Sequence, residues 1–204
     1  MRVGATLRNL SLGVAAASFL FAGAAFAQSS DLAGGTARLL HTISTKDAHT
    51  GQQVEAMLDG KITTSSGMEL PKGTELMGTI SRVQASENGG PSSLSLLFTR
   101  AHLKDGKVIP VKVTLVGAYP ASEGVAPYGE DAMGSAPNRI SPKEKIDQEA
   151  GVLSHVSMVA SAQGHNSATF RDKDGNLKLK TGTYFQVGVA PLNENSSGAM
   201  SSGV

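Results

Sequence analysis

Hydrophobic and polar residues alternate along this chain in short segments that turn residues separate. Val54, Ala56 and Leu58 share one side of an extended chain, with Glu55 and Asp59 on the other side. A period of two residues is typical of a strand that buries one face and exposes the other. Turn residues between such segments favour an antiparallel β fold.

The same period predicts further strands along the chain. They are expected at Arg38–Ile43, at Glu69–Val83, at Leu94, Leu96 and Phe98, at Val111, Val113 and Leu115 (with Lys112 and Thr114 outward), and at Thr183–Val189. Several short strands with regular turn signals are characteristic of barrels and sandwiches. We therefore predict an all-β fold, a small antiparallel barrel or sandwich.

Glycine-containing turns are expected to connect these strands. Asp105-Gly106 suits a type I′ hairpin turn, and Lys173–Asn176 predicts a second hairpin. Asn88–Pro91 reads as an exposed turn. In Leu70-Pro71-Lys72-Gly73, proline presets the second position of a turn, and glycine at the fourth position suits type I.

Two segments resemble each other within the chain. Gly73-Thr74 and Gly182-Thr183 each precede an alternating segment. Matched turns of this kind suit a barrel whose strands are entered from one rim.

One short helix and one long loop interrupt the strand pattern. Ser141-Pro142-Lys143-Glu144 forms a capping box with proline at the first helical position, and Gly151 can end the helix. The apolar stripe of this segment is narrow, so we predict a surface helix. Tyr119–Ile140, which is rich in Gly, Pro, Ala and Ser, predicts a long mobile loop. The segment from Val152 to Ala160 could be a strand or could continue the helix.

The first residues have the composition of a signal peptide. Two arginines precede the apolar run Leu12–Ala24, and Ala25 and Ala27 provide the small residues of a cleavage site before Gln28. The run is shorter than the ~20 apolar residues that span a bilayer, which disfavours a retained anchor. We therefore predict a periplasmic or secreted protein.

The predicted domain organisation follows from these features. Residues 1–27 are the signal peptide and residues 28–35 a flexible N-terminus. Residues 36–191 are a single β domain, with a low-complexity loop at 119–140. Residues 192–204, which offer almost nothing to bury, are a disordered tail.

Charge and cysteine content exclude several classes of protein. Removal of residues 1–27 lowers Lys+Arg from 18 to 16 against 17 acidic residues, which gives a net charge of −1 with histidine neutral. That balance disfavours nucleic-acid binding, which depends on a basic surface. It also disfavours attachment to an anionic membrane. The chain has no cysteine, so disulfides, thiolate metal sites, a cysteine nucleophile and a lipid-modified cysteine are excluded.

Known catalytic and metal-binding motifs are absent from the sequence. The five histidines, none of which has the spacing of a helical zinc site, are His41, His49, His102, His155 and His165. A turn explains Asp172–Asn176 better than calcium does, because the loop lacks the glycine and glutamate positions of an EF-hand. No serine occupies a nucleophile elbow. We predict neither cofactor nor metal, and no enzyme activity.

Four segments together resemble a known family. They are Leu70–Gly78, Leu96–Leu103, Asp105–Pro110 and Gly182–Val189. Their order is similar to that in the C-terminal β domain of the TrbI-like conjugation family, the envelope scaffold of type IV secretion systems. The likeness covers about Thr36 to Val189, and the chain also resembles small exported bacterial proteins of unknown role.

The resemblance implies a β domain that acts as a scaffold for other envelope proteins. Family members usually carry a cytoplasmic segment, a membrane-spanning helix and a proline-rich stalk before this domain, where this chain carries the predicted leader. They also carry a helical hairpin that lines a pore. Val152–Ser167 is too short and too polar for such a hairpin, so channel formation is not expected.

Two functional hypotheses follow. The first is a non-catalytic envelope protein that binds partner proteins through barrel edges or the long loop, without stable membrane insertion. The second is a periplasmic ligand-binding or hydrolytic domain that uses the barrel mouth, with Arg100, His102 and the loop as binding candidates. An exposed strand face is the favoured explanation for Arg100 and His102, and the oligomeric state stays open.

Overall fold

Every regular element of the described chain is a β-strand. A computed structural model describes residues 32–120, 139–140, 145–153, 155–161 and 164–192. The strands are β1 (Leu32–Leu39), β2 (Ile43–Ser44), β3 (Gln53–Leu58), β4 (Ile62–Thr63), β5 (Glu69–Leu70), β6 (Glu75–Gln84), β7 (Ser92–His102), β8 (Val108–Tyr119), β9 (Arg139–Ile140), β10 (Lys145–Leu153), β11 (Val156–Ser161), β12 (Ala168–Asp172), β13 (Lys178–Leu179) and β14 (Tyr184–Pro191). The expected all-β class is confirmed. The signal peptide, residues 28–31 and residues 193–204 lie outside the described residues.

Six strands form a closed antiparallel barrel. Their order is β7–β6–β3–β1–β14–β8, and pairing of β8 with the last residues of β7 closes the ring. Alternate residues of each strand point inward, and Phe98, Leu76 and Leu115 are at most 1% exposed. Closure leaves no free edge within the ring, which removes the main route to edge-to-edge aggregation.

Three further strands extend the sheet beyond the barrel. β12 pairs with the first half of β7, β11 pairs with β12, and β10 pairs with β11. The inner face of this extension shares the barrel core, since the rings of Phe170 (β12) and Phe185 (β14) have centroids 6.2 Å apart. β7 is therefore common to the barrel and to the extension.

Ser167 occupies the point at which β7 exchanges one neighbour for the other. Its backbone N–H donates to the Leu96 carbonyl at 2.8 Å, and its carbonyl accepts from the Leu115 N–H at 2.9 Å. Its hydroxyl accepts from the Phe98 N–H at 2.9 Å. The side chain is fully buried, so each of these bonds satisfies a backbone group that water cannot reach.

The corner that precedes β6 has a defined set of hydrogen bonds. Gly73 donates to the Leu58 carbonyl at 2.8 Å, and Leu58 donates back to the Thr74 carbonyl at 2.9 Å. The Thr74 hydroxyl donates to the Pro71 carbonyl at 2.8 Å. Gly73 has a φ of +82° at the third position of the turn Pro71–Thr74, which is typical of type II. The prediction of a type I turn with glycine at its fourth position is therefore wrong.

The corner that precedes β14 repeats this set. Gly182 donates to the Leu39 carbonyl at 2.8 Å, and Leu39 donates back to the Thr183 carbonyl at 2.9 Å. The Thr183 hydroxyl donates to the Lys180 carbonyl at 2.7 Å, and Gly182 has a φ of +84°. The internal resemblance noted in the sequence is therefore a repeated structural unit.

The repeat includes the small sheets beside each corner. β4 pairs with β5 next to the first corner, and β2 pairs with β13 next to the second. The strands that lead into these small sheets carry the same pattern, Ala-x-Leu-x-x-x-Ile-x-Thr, at 37–45 and at 56–64. Two equivalent corners thus stand on the barrel, one between β3 and β6 and one between β1 and β14.

The hairpin between β7 and β8 is confirmed, but its turn type differs from the prediction. Gly106 has a φ of +86°, whereas Asp105 is not among the described residues with positive φ. Gly106 donates to the Leu103 carbonyl, which is the arrangement of a type I turn followed by a left-handed glycine. The type I′ arrangement occurs instead at Asn88-Gly89, where φ is +50° and +77°.

The helix expected from the capping box is not confirmed, and residues 141–144 lie outside the described residues. Lys145–Leu153 form β10, paired with β11 from Lys145↔Ser161 to Leu153↔Val156. A capping box favours a helix start locally, and strand pairing satisfies more backbone groups when a partner edge is present. Of the two alternatives for Val152–Ala160, the strand one applies to its described strand residues, which belong to two strands: Val152 and Leu153 end β10, and Val156–Ala160 lie in β11.

Three further expectations are corrected. β1 begins at Leu32, so the flexible N-terminus does not extend to residue 35. Residues 173–176 do not close a hairpin, because β12 pairs with β7 and β11 whereas β13 pairs with β2. Thr114 points away from the barrel interior yet is fully buried, since β11 lies against β8.

The expected long loop is shorter than its predicted bounds. Tyr119 is the last residue of β8, and Arg139–Ile140 form β9, which pairs with β1. Residues 121–138 lie outside the described residues.

An ion pair links the ends of β1 and β3. Arg38 Nε lies 2.7 Å from Asp59 Oδ1, and the Asp59 side chain is 12% exposed. Burial raises the pKa of the Asp59 carboxyl above its ordinary value of 3.8, and attraction to Arg38 offsets only part of that rise. The folded protein therefore holds the Asp59 proton more strongly than the unfolded chain does, and this contribution to stability falls as pH rises.

Replacement of Gly182 by alanine should destabilise the protein. A Cβ at a φ of +84° is strained, so Gly182→Ala should lower the free energy of unfolding by about 1–2 kcal/mol in urea denaturation. The matched control is Gly60→Ala, whose Cβ meets no atom within 4 Å at a φ outside the left-handed region. Equal losses in the two variants would contradict the role of the corner.

Asp59→Asn should remove one component of the pH dependence. The free energy of unfolding of the wild type, taken relative to this variant, should decrease as pH rises from about 4 towards neutrality, because only the wild type loses the Asp59 proton. Urea denaturation of both proteins at several pH values measures the difference. If the difference in free energy of unfolding stays constant or grows with pH, burial does not dominate the pKa of the Asp59 carboxyl.

Candidate functional site: a polar groove on the extended sheet

An open groove lies on the outer face of the extended sheet. It has a volume of about 930 Å³ and lies across β6, β7, β12 and β11. Strand register places two rows of side chains across this face. One row is Gln84–Ser93–Arg171–Ser157, and the other is Arg82–Ser95–Thr169–Val159.

Small hydroxyl side chains form the floor of the groove. Ser95 is 4% exposed, and its Oγ lies 2.8 Å from Thr169 Oγ1. Ser93 and Ser157 are half-buried on either side of Arg171, and neither hydroxyl has a hydrogen-bond partner within the described structure. Because serine and threonine side chains are short, they leave space above the sheet for a ligand between the longer side chains.

Cationic side chains border the groove. Arg82 and Arg171 are exposed, and neither makes an ion pair with any part of the chain that the structure describes. Lys173 adds a third cation, against one carboxylate in the lining, Asp172. An Asp172 oxygen accepts the Asp174 N–H at 2.9 Å, so this carboxylate is engaged in its own turn. The groove therefore presents net positive charge on an otherwise near-neutral protein.

A partly buried contact between β6 and the residues before β12 holds one end of the groove. Ser81 Oγ donates to Asn166 Oδ1 at 2.7 Å, and the Ser95 carbonyl oxygen lies 3.2 Å from the same hydroxyl. The β6–β7 register shifts between Ile80 and Arg82, which turns Ser81 toward this contact. The irregularity fixes the position of Arg82 at the rim.

Arg100 and His102 lie elsewhere, on the outer face of the barrel at the far end of β7. Between them Ala101 is 0% exposed, whereas Arg100 is exposed. His102 Nδ1 lies 3.9 Å from Glu75 Oε2 beside a shallow pocket of about 220 Å³ that Lys104 also lines. Neither residue points into the barrel, so this geometry does not favour a site at the barrel mouth.

The structure gives residues 173–176 a structural role, in which Asn176 is the main contact. Asn176 Oδ1 accepts the Ser86 N–H at 2.9 Å and the Thr45 hydroxyl at 3.2 Å, which ties the turn after β12 to the rest of the molecule. Among the described residues, no three His, Asp or Glu side chains cluster closely enough to hold a metal ion. Residues 173–176 therefore act as a structural connection.

Sequence reasoning missed the groove because its residues are distant along the chain. Ser93 lies beside Arg171 only because β7 pairs with β12, and nothing local to either segment indicates that pairing. The one available signal is the run Ser92-Ser93, followed by Ser95, in a stretch whose other residues up to Phe98 are apolar. Small hydroxyl side chains on this face of the strand leave space above the sheet, which a ligand can occupy.

Comparison with known proteins finds similarity among solved structures but not among family models or curated sequences. No protein-family model matches the chain, and no curated protein matches its sequence. No helix of the described residues is long and apolar enough to cross a membrane. The chain is similar to ComB10 of the Com type IV secretion system of Helicobacter pylori, with 13% sequence identity over 79% of this chain and 86% of that chain, and a TM-score of 0.35.

Proposed function

We propose that this chain is an exported, non-catalytic module that binds partner proteins in the cell envelope, as a TrbI-like scaffold or accessory subunit. The observation that carries the proposal is the open polar groove across β6, β7, β12 and β11. Export rests on the leader-like composition of residues 1–27. The TrbI-like role rests on the sequence resemblance between about Thr36 and Val189.

The packed barrel supports binding at the outer surface. Side chains fill the space within the ring, where Phe98, Phe185 and Leu96 are at most 1% exposed. Six strands enclose too narrow a space for both a side-chain core and a ligand. A partner is therefore expected to contact the outside of the sheet.

The groups in the groove favour binding over hydrolysis. A serine nucleophile requires a general base within hydrogen-bond reach of its hydroxyl. His165 lines the groove, but none of the described hydrogen bonds joins a histidine to a serine. Arginine, which the groove carries at two positions, is instead a residue that is enriched at protein interfaces.

Capture from envelope extracts tests the proposal. The mature chain from Gln28, carrying an affinity tag, should retain one or more envelope proteins that Ser93→Tyr fails to retain, because the tyrosine ring fills the groove floor. Ser65→Tyr is the matched control, since Ser65 is exposed in the β4–β5 loop and does not line the groove. Retained proteins are identified by mass spectrometry.

Two results would contradict the proposal. Recovery of the tagged chain only as a free monomer would argue against a binding role. Equal retention of partners by Ser93→Tyr and Ser65→Tyr would place any binding surface outside the groove. Circular dichroism and thermal melting of both variants establish that each one is folded.

A further inference from the structure

We infer that the groove recognises an extended, acidic segment of a partner protein, with carboxylates bound at Arg171 and Arg82. The inference rests on the proposed function and specifies its ligand. It follows from the charges on the rim, the hydroxyls beside them and the distance between the two arginines.

Arg171 and the two serines beside it offer hydrogen-bond donors for a carboxylate. Ser157 and Ser93 occupy the neighbouring strand positions on its two sides, and their hydroxyls have no partner within the described structure. A guanidinium binds a carboxylate through two parallel N–H groups, and a hydroxyl can donate to a remaining lone pair. An acidic side chain placed over this row would satisfy donors that the protein itself leaves unused.

Arg82 offers a second cationic position in the adjacent row. It lies on β6, two strands away from Arg171 on β12, with Ser95 and Ser93 of β7 between them. Two strand spacings of about 10 Å, combined with the two-residue offset of about 7 Å between the rows, place the two positions about 12 Å apart. Side chains four residues apart on an extended peptide point the same way and are separated by about 13 Å. One peptide can therefore place a carboxylate at each arginine, whereas a small anion would meet one arginine at a time.

The other lining residues favour a peptide over a polyphosphate or nucleic acid. Three cations against one carboxylate give only a modest positive charge, and nucleic-acid sites neutralise many phosphates. The lining contains no Phe, Tyr or Trp on which a base or a sugar ring could stack. Serine, asparagine and glutamine side chains suit the amide groups of an extended backbone.

Fluorescence anisotropy with a labelled peptide of alternating glutamate and serine provides the test. The peptide should be long enough to cross the four strands, about 15 Å. At low ionic strength the mature protein should bind it, and Arg82→Glu with Arg171→Glu should weaken binding at least about tenfold. Binding should also weaken as salt rises from about 20 to about 300 mM.

Two matched controls separate the groove from general charge effects. Arg100→Glu reverses another exposed arginine, on β7 outside the groove, and should leave the dissociation constant within about twofold of the wild type. A peptide with lysine in place of glutamate should not bind. Circular dichroism of the charge-reversed proteins establishes that they are folded.

The outcomes distinguish this inference from the proposed function. Equal loss of binding in Arg100→Glu and in the groove variants would overturn the inference. It would also be overturned if inorganic phosphate displaced the labelled peptide as effectively as the same peptide without label does at equal total charge. If the peptide does not bind while Ser93→Tyr still abolishes capture of a partner, the acidic ligand is wrong and the proposed function stands. If capture also fails, both are wrong.

Discussion

The division of β7 between two neighbours is the constraint on which the rest of this structure depends. One edge of the strand pairs with β6 along its length. The other edge pairs first with β12 and then with β8. Ser167 fills the transition with three hydrogen bonds, to Leu96, Phe98 and Leu115. Without it, backbone groups of β7 and β8 would be buried and unpaired at the centre of the molecule.

The groove is a consequence of this division. Because β12 and β11 continue the sheet beyond the barrel, four neighbouring strands present one uninterrupted outer face. Serine and threonine occupy much of that face, and Arg82 and Arg171 stand beside them. The inner face of the same strands contributes to the core, as the contact between Phe170 and Phe185 shows. Burial on one side thus holds the polar side in place.

Local sequence patterns predicted those parts of the fold that depend on neighbouring residues. The alternation of Val111, Val113 and Leu115 identified a strand with a buried face, and the Gly-Thr pairs identified the two equivalent corners. The helix expected after the capping box was not found. Lys145–Leu153 pair instead with β11, a later segment of the chain that a local capping pattern cannot indicate. The groove combines β6, β7, β11 and β12, so only the sheet order could show it.

The central claim is that β7 holds the barrel and the extension together as one rigid sheet, so that the groove exists before any partner binds. Amide hydrogen exchange followed by NMR tests it directly. The amide protons of Ser167, Phe98 and Leu115 should exchange only through global unfolding, together with those of the barrel strands. Exchange of Ser167 and the β12 amides by a much more frequent local opening would contradict it, because the extension would then detach from β7 and the groove would not be preformed.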